Sequence, residues 1–395
     1  MTRRPFNALF AALLSAGLLL AGGGVASADG SPTPSWQITP VLSGLNGPRG
    51  LAFDGHGNLY VAEAGQFFPI SGQQFGVSQT GKVDKFSFDE GTATLKWSTA
   101  FNSLYDTFLG GGPEVLGPAG VTAAGNRVLA IVSQSRDGVH KITPGLAVPQ
   151  IGHLFSLNRA TGKATDKSDV GDQEYAWAGE HKDLWREFPD SNPTGVLVTK
   201  VRSRDGGEEG QHSQTATRTF VVDAGANTLS EVMPDGTNRV IAFIPNDPVR
   251  DSTPTCVTQG PDGALYVGTL DLVANLFVFG PGQSHVYRID PDTHESFLTA
   301  AHVWASGLTT LYGCTFDRSG NFWATEMFQP NPAGPPGDLV RIPFSHPSSV
   351  QHIGLGSVPT PGGIAQGPDG SMYVAVGAPD TAPASGGVVK VSRTG

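Results

Sequence analysis

One short unit recurs along this chain, and its recurrence constrains the fold more than any single motif does. The stretch GPRGLAFDGHGNLYVAEAG (residues 47–65) reads as two apolar strands hinged on a glycine-containing turn. TPTCVTQGPDGALYVGTL (253–270) and TPGGIAQGPDGSMYVAVG (360–377) repeat it. LYGCTFDRSGNFWATEM (311–327) replaces Leu-Tyr by Phe-Trp, and GPAGVTAAGNRVLAIVS (117–133) shortens the turn by two residues. The remaining copy, residues 192–236, keeps both strands around a polar insertion at 201–218. Counted from the proline slot, or from Leu311 where the proline is absent, the copies start at 48, 118, 193, 254, 311 and 361, spacings of 50 to 75 residues. A strand–turn–strand unit at that period cannot cover both faces of its own sheet and must stack on its neighbours, as propeller blades do. The expected fold is therefore all-β, a six-bladed β-propeller.

Each unit is followed by a third strand, at 81–88, 153–158, 228–234, 284–290, 337–343 and 386–392, and most by a fourth, for example 94–101, 239–245 and 350–356. The last unit runs out after its third strand, while WQITPVLSGL (36–45) stands before the first unit without a partner. Pairing the two ends completes the sixth blade and removes two exposed strand edges.

The opening MTRRPFNALFAALLSAGLLLAGGGVASADG has Arg3 and Arg4 before a short apolar run and Ala26-Ser27-Ala28 as a cleavage site, so residues 1–28 read as a signal peptide and 29–395 as one propeller domain. The Arg pair leaves Sec and twin-arginine export both open. Secretion is the expected localisation, with no membrane span after cleavage. The full chain carries 25 Lys and Arg against 35 Asp and Glu, net −10, and −12 without the two leader arginines, which argues against nucleic acid as a partner.

The Pro-x-Gly-apolar frame ending in Gly-Asn-Leu-Tyr-Val resembles the NHL-type propeller repeat. LNGPRGLAFDGHGNLYVAEAG near the mature start, DSNPTGV, VVDAGANTLSEV and the C-terminal GGVVKV make almost the whole chain similar to the secreted propellers of the scytonemin-biosynthesis D/E type. That resemblance implies an exported propeller tied to pigment-like secondary metabolism, and it implies no catalytic residues.

Extra length sits in the loops after the second strands, 65–80, 134–150, 271–283 and 328–336, and in the links between blades, all on one face. Long loops on a rigid scaffold are where ligand sites concentrate. Glu63, Gln134, Asp271 and Glu326 begin these loops, and Asp223 takes the matching place in the third blade. The first reading of such a ring is that it satisfies loop amides; the alternatives are that it holds a cation, calcium through Glu63, Asp271 and Glu326, or supplies an acid/base pair. Phe67, Phe68, Tyr105, Phe108 and Glu114 add aromatic and acidic groups to the same face, suited to stacking on a flat ligand or to plugging loop bases. A helix expected at about 172–187 either lies over the channel as a lid or packs as a surface excursion. The ten histidines show no zinc spacing, and neither a Gly-x-Ser-x-Gly elbow nor a phosphate loop is present.

Cys256 and Cys314 fall on first strands one residue apart in register, so their side chains point to opposite faces and can meet between blades four and five as a disulfide, the alternative being two buried thiols. The expected protein is a monomeric, exported, non-catalytic propeller without a cofactor, binding a small molecule, polymer or protein. A propeller enzyme of lactonase or sugar-dehydrogenase type is the alternative, and a purely structural envelope role is the third.

Overall fold

The aspartate of the repeat turn explains why the unit folds locally. Asp54 Oδ1 accepts the backbone N–H groups of His56 (2.9 Å) and Asn58 (3.0 Å), and its Oδ2 accepts the Tyr60 hydroxyl at 3.1 Å. Asp317 repeats this with Ser319, Asn321 and the Trp323 indole N–H (2.9 Å), and Asp262 and Asp369 with Tyr266 and Tyr373. One carboxylate thus closes the turn and fixes the aromatic ring of the second strand, so the Asp-to-Tyr or Asp-to-Trp spacing is a folding signal.

The computed structural model describes residues 35–66, 68, 75–106, 113–184, 189–202, 215–245, 251–330, 333–334 and 336–394; the expected leader lies outside them. Six sheets form six blades, antiparallel except where Ser296–Phe297 pairs in parallel with the fourth strand of blade three. Their first strands are Pro48–Phe53, Pro118–Ala124, Pro193–Arg202, Pro254–Gln259, Leu311–Phe316 and Ile364–Gln366, each packed on the next around a closed ring. The expected third strands are found at Phe75–Asp89, His153–Leu157, Thr228–Val232, Ser284–Ile289, Gly337–Pro343 and Gly386–Arg393. The expected fourth strands are found at Thr92–Asp106, Asn238–Phe243 and Gln351–Val358. Trp36–Leu45 is the outer strand of the sixth blade, antiparallel to Gly386–Arg393, with Trp36 opposite Arg393 and Leu45 opposite Gly386. The ring is closed by joining its two ends.

The first strands pack closely because their facing positions carry almost no side chain. A Cβ on Gly50 would stand 2.7 Å from the Ala119 carbonyl oxygen, one on Gly120 2.6 Å from that of Thr194, and one on Gly195 2.8 Å from that of Thr255. Gly313 meets Gly362 and Gly363, and Gly363 meets the Arg49 carbonyl, so the pattern returns to its start. Blade four has Cys256 in this slot. Its sulfur reaches Cys314 of blade five in a disulfide with Cα atoms 5.7 Å apart, so the register difference does bring the two together.

Apolar burial lies between blades. Six clusters each span two neighbours, such as Phe101 of blade one against Phe155 of blade two, ring centroids 5.1 Å apart. Each fully buried Phe there contributes about 2–3 kcal/mol by leaving water.

Three loops hold more structure than strand patterning suggests. The blade-two loop forms α1 (Arg136–Ile142), capped by the Ser135 hydroxyl, which accepts the Gly138 N–H. The blade-four loop contains one π-helical turn (Ala274–Val278), and the blade-five loop a two-rung hairpin, Gln329–Pro330 with Ala333–Gly334. The long link gives α2 (Val170–Glu180), which starts and stops earlier than expected. α2 packs against α1, the third strand of blade two and the fourth strand of blade three, so it is a surface excursion wedged between two blades and not a lid. Its Glu174 is wholly buried and accepts from the Thr228 hydroxyl (2.9 Å), the Ser230 hydroxyl and the Asn238 amide. Trp185, expected on this helix, lies outside the described residues. Among the described residues no helix is long and apolar enough to cross a membrane.

Candidate functional site

The loop face is built from one turn used in five blades and shifted in the sixth. In the five, the residue after the second-strand terminus donates its N–H to the carbonyl just before the first strand: Ala64 to Gly47, Ser133 to Gly117 and Ala224 to Asn192 at 2.9 Å, Leu270 to Thr253 and Met327 to Thr310 at 3.0 Å. In blade six Gly377 and Ala378 donate instead to the carbonyls of Pro359 (3.0 Å) and Thr360 (3.2 Å). In blades one, three and five an acid ends the second strand and accepts a further N–H from the same turn. Asn46 donates to Glu63, Asn192 to Asp223 and Thr309 to Glu326, each at 2.7 Å. All three acids are buried.

Each acid is balanced differently. Asp223 also accepts the Ser191 hydroxyl (2.6 Å) and the N–H groups of Gly225 (2.9 Å) and Ala226 (2.8 Å); burial still pushes its carboxyl up to about 6. Glu63 faces the Lys82 ammonium at 3.1 Å, and Lys82 also holds Asp84 at 2.9 Å. Burial, with the Asp84 charge behind it, raises the Glu63 carboxyl to about 7 against the Asn46 N–H and the Lys82 ammonium. Glu326 has Asp338 directly opposite on the third strand, and burial together with the Asp338 charge pushes it to about 9.

Gln134 and Asp271 do not share this slot. The residues opposite Pro118 and Pro254 are Val132 and Thr269, two places earlier. The Gln134 N–H reaches the Asn192 side-chain oxygen at 3.3 Å, and buried Asp271 accepts the Thr269 hydroxyl. Glu63, Asp271 and Glu326 belong to three different blades, one, four and five. Among the described residues, the one group of three His, Cys, Asp or Glu side chains whose ligand atoms come together is Glu326, Asp338 and His352.

The aromatic candidates separate in the same way. Tyr105 lies within the strand Thr92–Asp106, 1% exposed, its ring laid over Gly76 of the paired strand where a Cβ would stand 1.6 Å away. It supports the blade and offers no face to a ligand. Phe68 is about half exposed on the loop face. Phe67 and Phe108 lie outside the described residues.

Glu114 leads to groups that strand patterning does not single out. It sits on a fifth strand of blade one, Glu114–Leu116, with its carboxylate 3.6 Å from the Arg49 guanidinium, which also donates to the Val115 carbonyl at 2.6 Å. Arg49 is the second residue of its first strand, and Tyr312 holds the same place in blade five. The Arg49 charge acts on the Tyr312 phenol although blade six stands between their blades. Burial raises both the Glu114 carboxyl and the Tyr312 phenol, against the opposing Arg49 charge. The Asp190 charge adds to the rise at Glu114, Asp223 and Asp251, and burial with that charge pushes Asp251 up to about 6. Burial and these charges favour the neutral forms of Glu114 and Asp251. Aligning the six copies would have placed Arg49 and Tyr312 in equivalent slots; Asp190 and Asp251 sit on links that follow no repeat.

No protein-family profile matches the sequence, and no curated protein matches it. Solved structures do resemble it in fold. A protein of unknown function from Bacteroides thetaiotaomicron is 13% identical with TM-score 0.51, over 91% of this chain and 77% of that one. A gluconolactonase from Xanthomonas campestris is 10% identical with TM-score 0.49, over 95% and 99%. A streptogramin B lyase is 12% identical with TM-score 0.47, over 91% and 98%. At these identities the likeness is one of fold alone.

Proposed function

We propose that this chain is an exported, monomeric, non-catalytic propeller that binds a small molecule at the channel mouth. The observation that carries this reading is the buried Arg49 guanidinium on a first strand of the ring, 3.6 Å from the Glu114 carboxylate and acting electrostatically on the Tyr312 phenol of blade five. Arg49 is buried with its Nε free of any hydrogen-bond partner, so one donor is held ready at the mouth. A guanidinium, a phenol and a buried carboxyl suit a ligand that carries phenol or carbonyl oxygens on a flat frame. The resemblance to the scytonemin-biosynthesis propellers makes aromatic, pigment-like metabolites the first class to test.

The test is a thermal-shift screen of the full chain with indole-phenol aromatics, lactones, calcium and a chelator, followed by Arg49→Ala and Glu114→Gln. An aromatic ligand present at about 100 times its Kd should stabilise the folded state by about 2.7 kcal/mol, and Arg49→Ala should remove most of that shift. Turnover of a lactone would replace this reading with the lactonase alternative. A shift confined to calcium would move the site to the acids of the loop face.

A further inference from the structure

Blade one and blade five place two buried carboxylates at the same site and resolve the charge in different ways. In blade one, the residue opposite Glu63 is Lys82, whose ammonium stands between Glu63 and Asp84. In blade five the residue opposite Glu326 is Asp338, so the position of the ammonium is taken by a second acid. Both are fully buried, and Glu326 Oε2 and Asp338 Oδ1 accept no hydrogen bond. The third member is His352 on the outer strand, with its Nδ1 2.7 Å from Asp338 Oδ2 and 3.6 Å from Glu326 Oε2. One ligand atom from each of the three lies within 4.8 Å of the others.

We propose that Glu326, Asp338 and His352 form a binding site for a divalent transition-metal ion of the zinc type, which takes the place that the Lys82 ammonium fills in blade one. Zinc accepts imidazole nitrogen and carboxylate oxygen in one shell, whereas calcium favours six to eight oxygens that three side chains do not supply. Three protein ligands leave a fourth position for water, and His352, 38% exposed at its side chain, gives that position a route to solvent. The ligands come from the second, third and fourth strands of one sheet, so the ion would tie the outer strand of blade five to its interior. This site is separate from the channel mouth and does not depend on the ligand bound there.

The experiment is calorimetric titration of the chelator-treated full chain with zinc chloride alone, at pH 6 and pH 8, with melting temperature and the visible absorption of the cobalt-substituted protein as independent readouts. One ion per chain should bind, more tightly at pH 8 because ligand protons must leave, and the melting temperature should rise. His352→Ala, at a position open to solvent, should keep the fold and weaken binding by at least the roughly 10–100-fold that loss of an outer-shell partner alone costs. Asp338→Asn should do the same, while Lys82→Met in blade one should leave zinc affinity unchanged. The proposal is overturned if folded protein gives neither heat nor stabilisation at pH 8, if calcium binds there and zinc does not, or if both blade-five variants retain full affinity.

Discussion

The buried acids give the chain an unusual balance of protons. Glu63 and Glu174 are held near 7, and Asp223 and Asp251 near 6, burial being the largest cause in each. Between the ordinary carboxyl value and these raised ones the folded state keeps protons that the unfolded chain releases, so stability falls as pH rises from about 4 to about 7. Glu231 and Asp369 work in the opposite sense. Against the cost of burial, Arg218 holds Glu231 low and Lys390 holds Asp369 low, so their contribution is lost as pH drops below about 4. Melting temperature measured across pH should therefore peak in mild acid and decline toward pH 8. Glu63→Gln should flatten part of that decline, and a melting temperature that climbs from pH 5 to pH 8 would contradict the assignment. The acids at 63, 223 and 326 could be picked out from their place after the second strand, and the first reading, that they satisfy loop amides, is what their hydrogen bonds show. Their separate balancing partners were hidden, because Lys82, Ser191 and Asp338 come from different places relative to the repeat.

At the scale of elements, the strands were readable because alternation and the Asp-to-aromatic turn both report on local geometry. The insertions follow tertiary demand. α2 has Glu174 on its buried side, where a polar residue would ordinarily mark the exposed face, and three donors of blade three are what make that orientation stable. Periodicity therefore could not decide between a lid and a wedge. Glu174→Ala should leave the Thr228 and Ser230 hydroxyls and the Asn238 amide without their acceptor and cost about 2–4 kcal/mol, read by urea unfolding. Glu174→Gln, which keeps an acceptor oxygen, should recover part of the loss. Equal stability of Glu174→Ala and the parent would mean that α2 is held by its other contacts.

For the whole molecule, the repeat count and the unpaired end strands together specify a closed ring, and the observed pairing of Trp36–Leu45 with Gly386–Arg393 matches both. The surroundings of Arg49 were less legible, since blades one and five both contribute to them and no stretch of sequence contains them. Removing residues 36–45 would strip the outer strand from blade six and uncover the cluster in which Trp36 and Ile38 pack near Trp323 and Val391. The melting temperature should then fall by on the order of 10 °C, with increased aggregation from the bare strand edge. A truncated protein that melts with the parent would remove closure as a source of stability. The same pairing also sets an order of events during synthesis. Blades one to five can assemble as they emerge, but residues 36–45 must wait, solvated and unpaired, until residues 386–393 have been made. This early strand is thus among the last to find its place, and for that interval the growing chain displays an adhesive edge that a chaperone can hold.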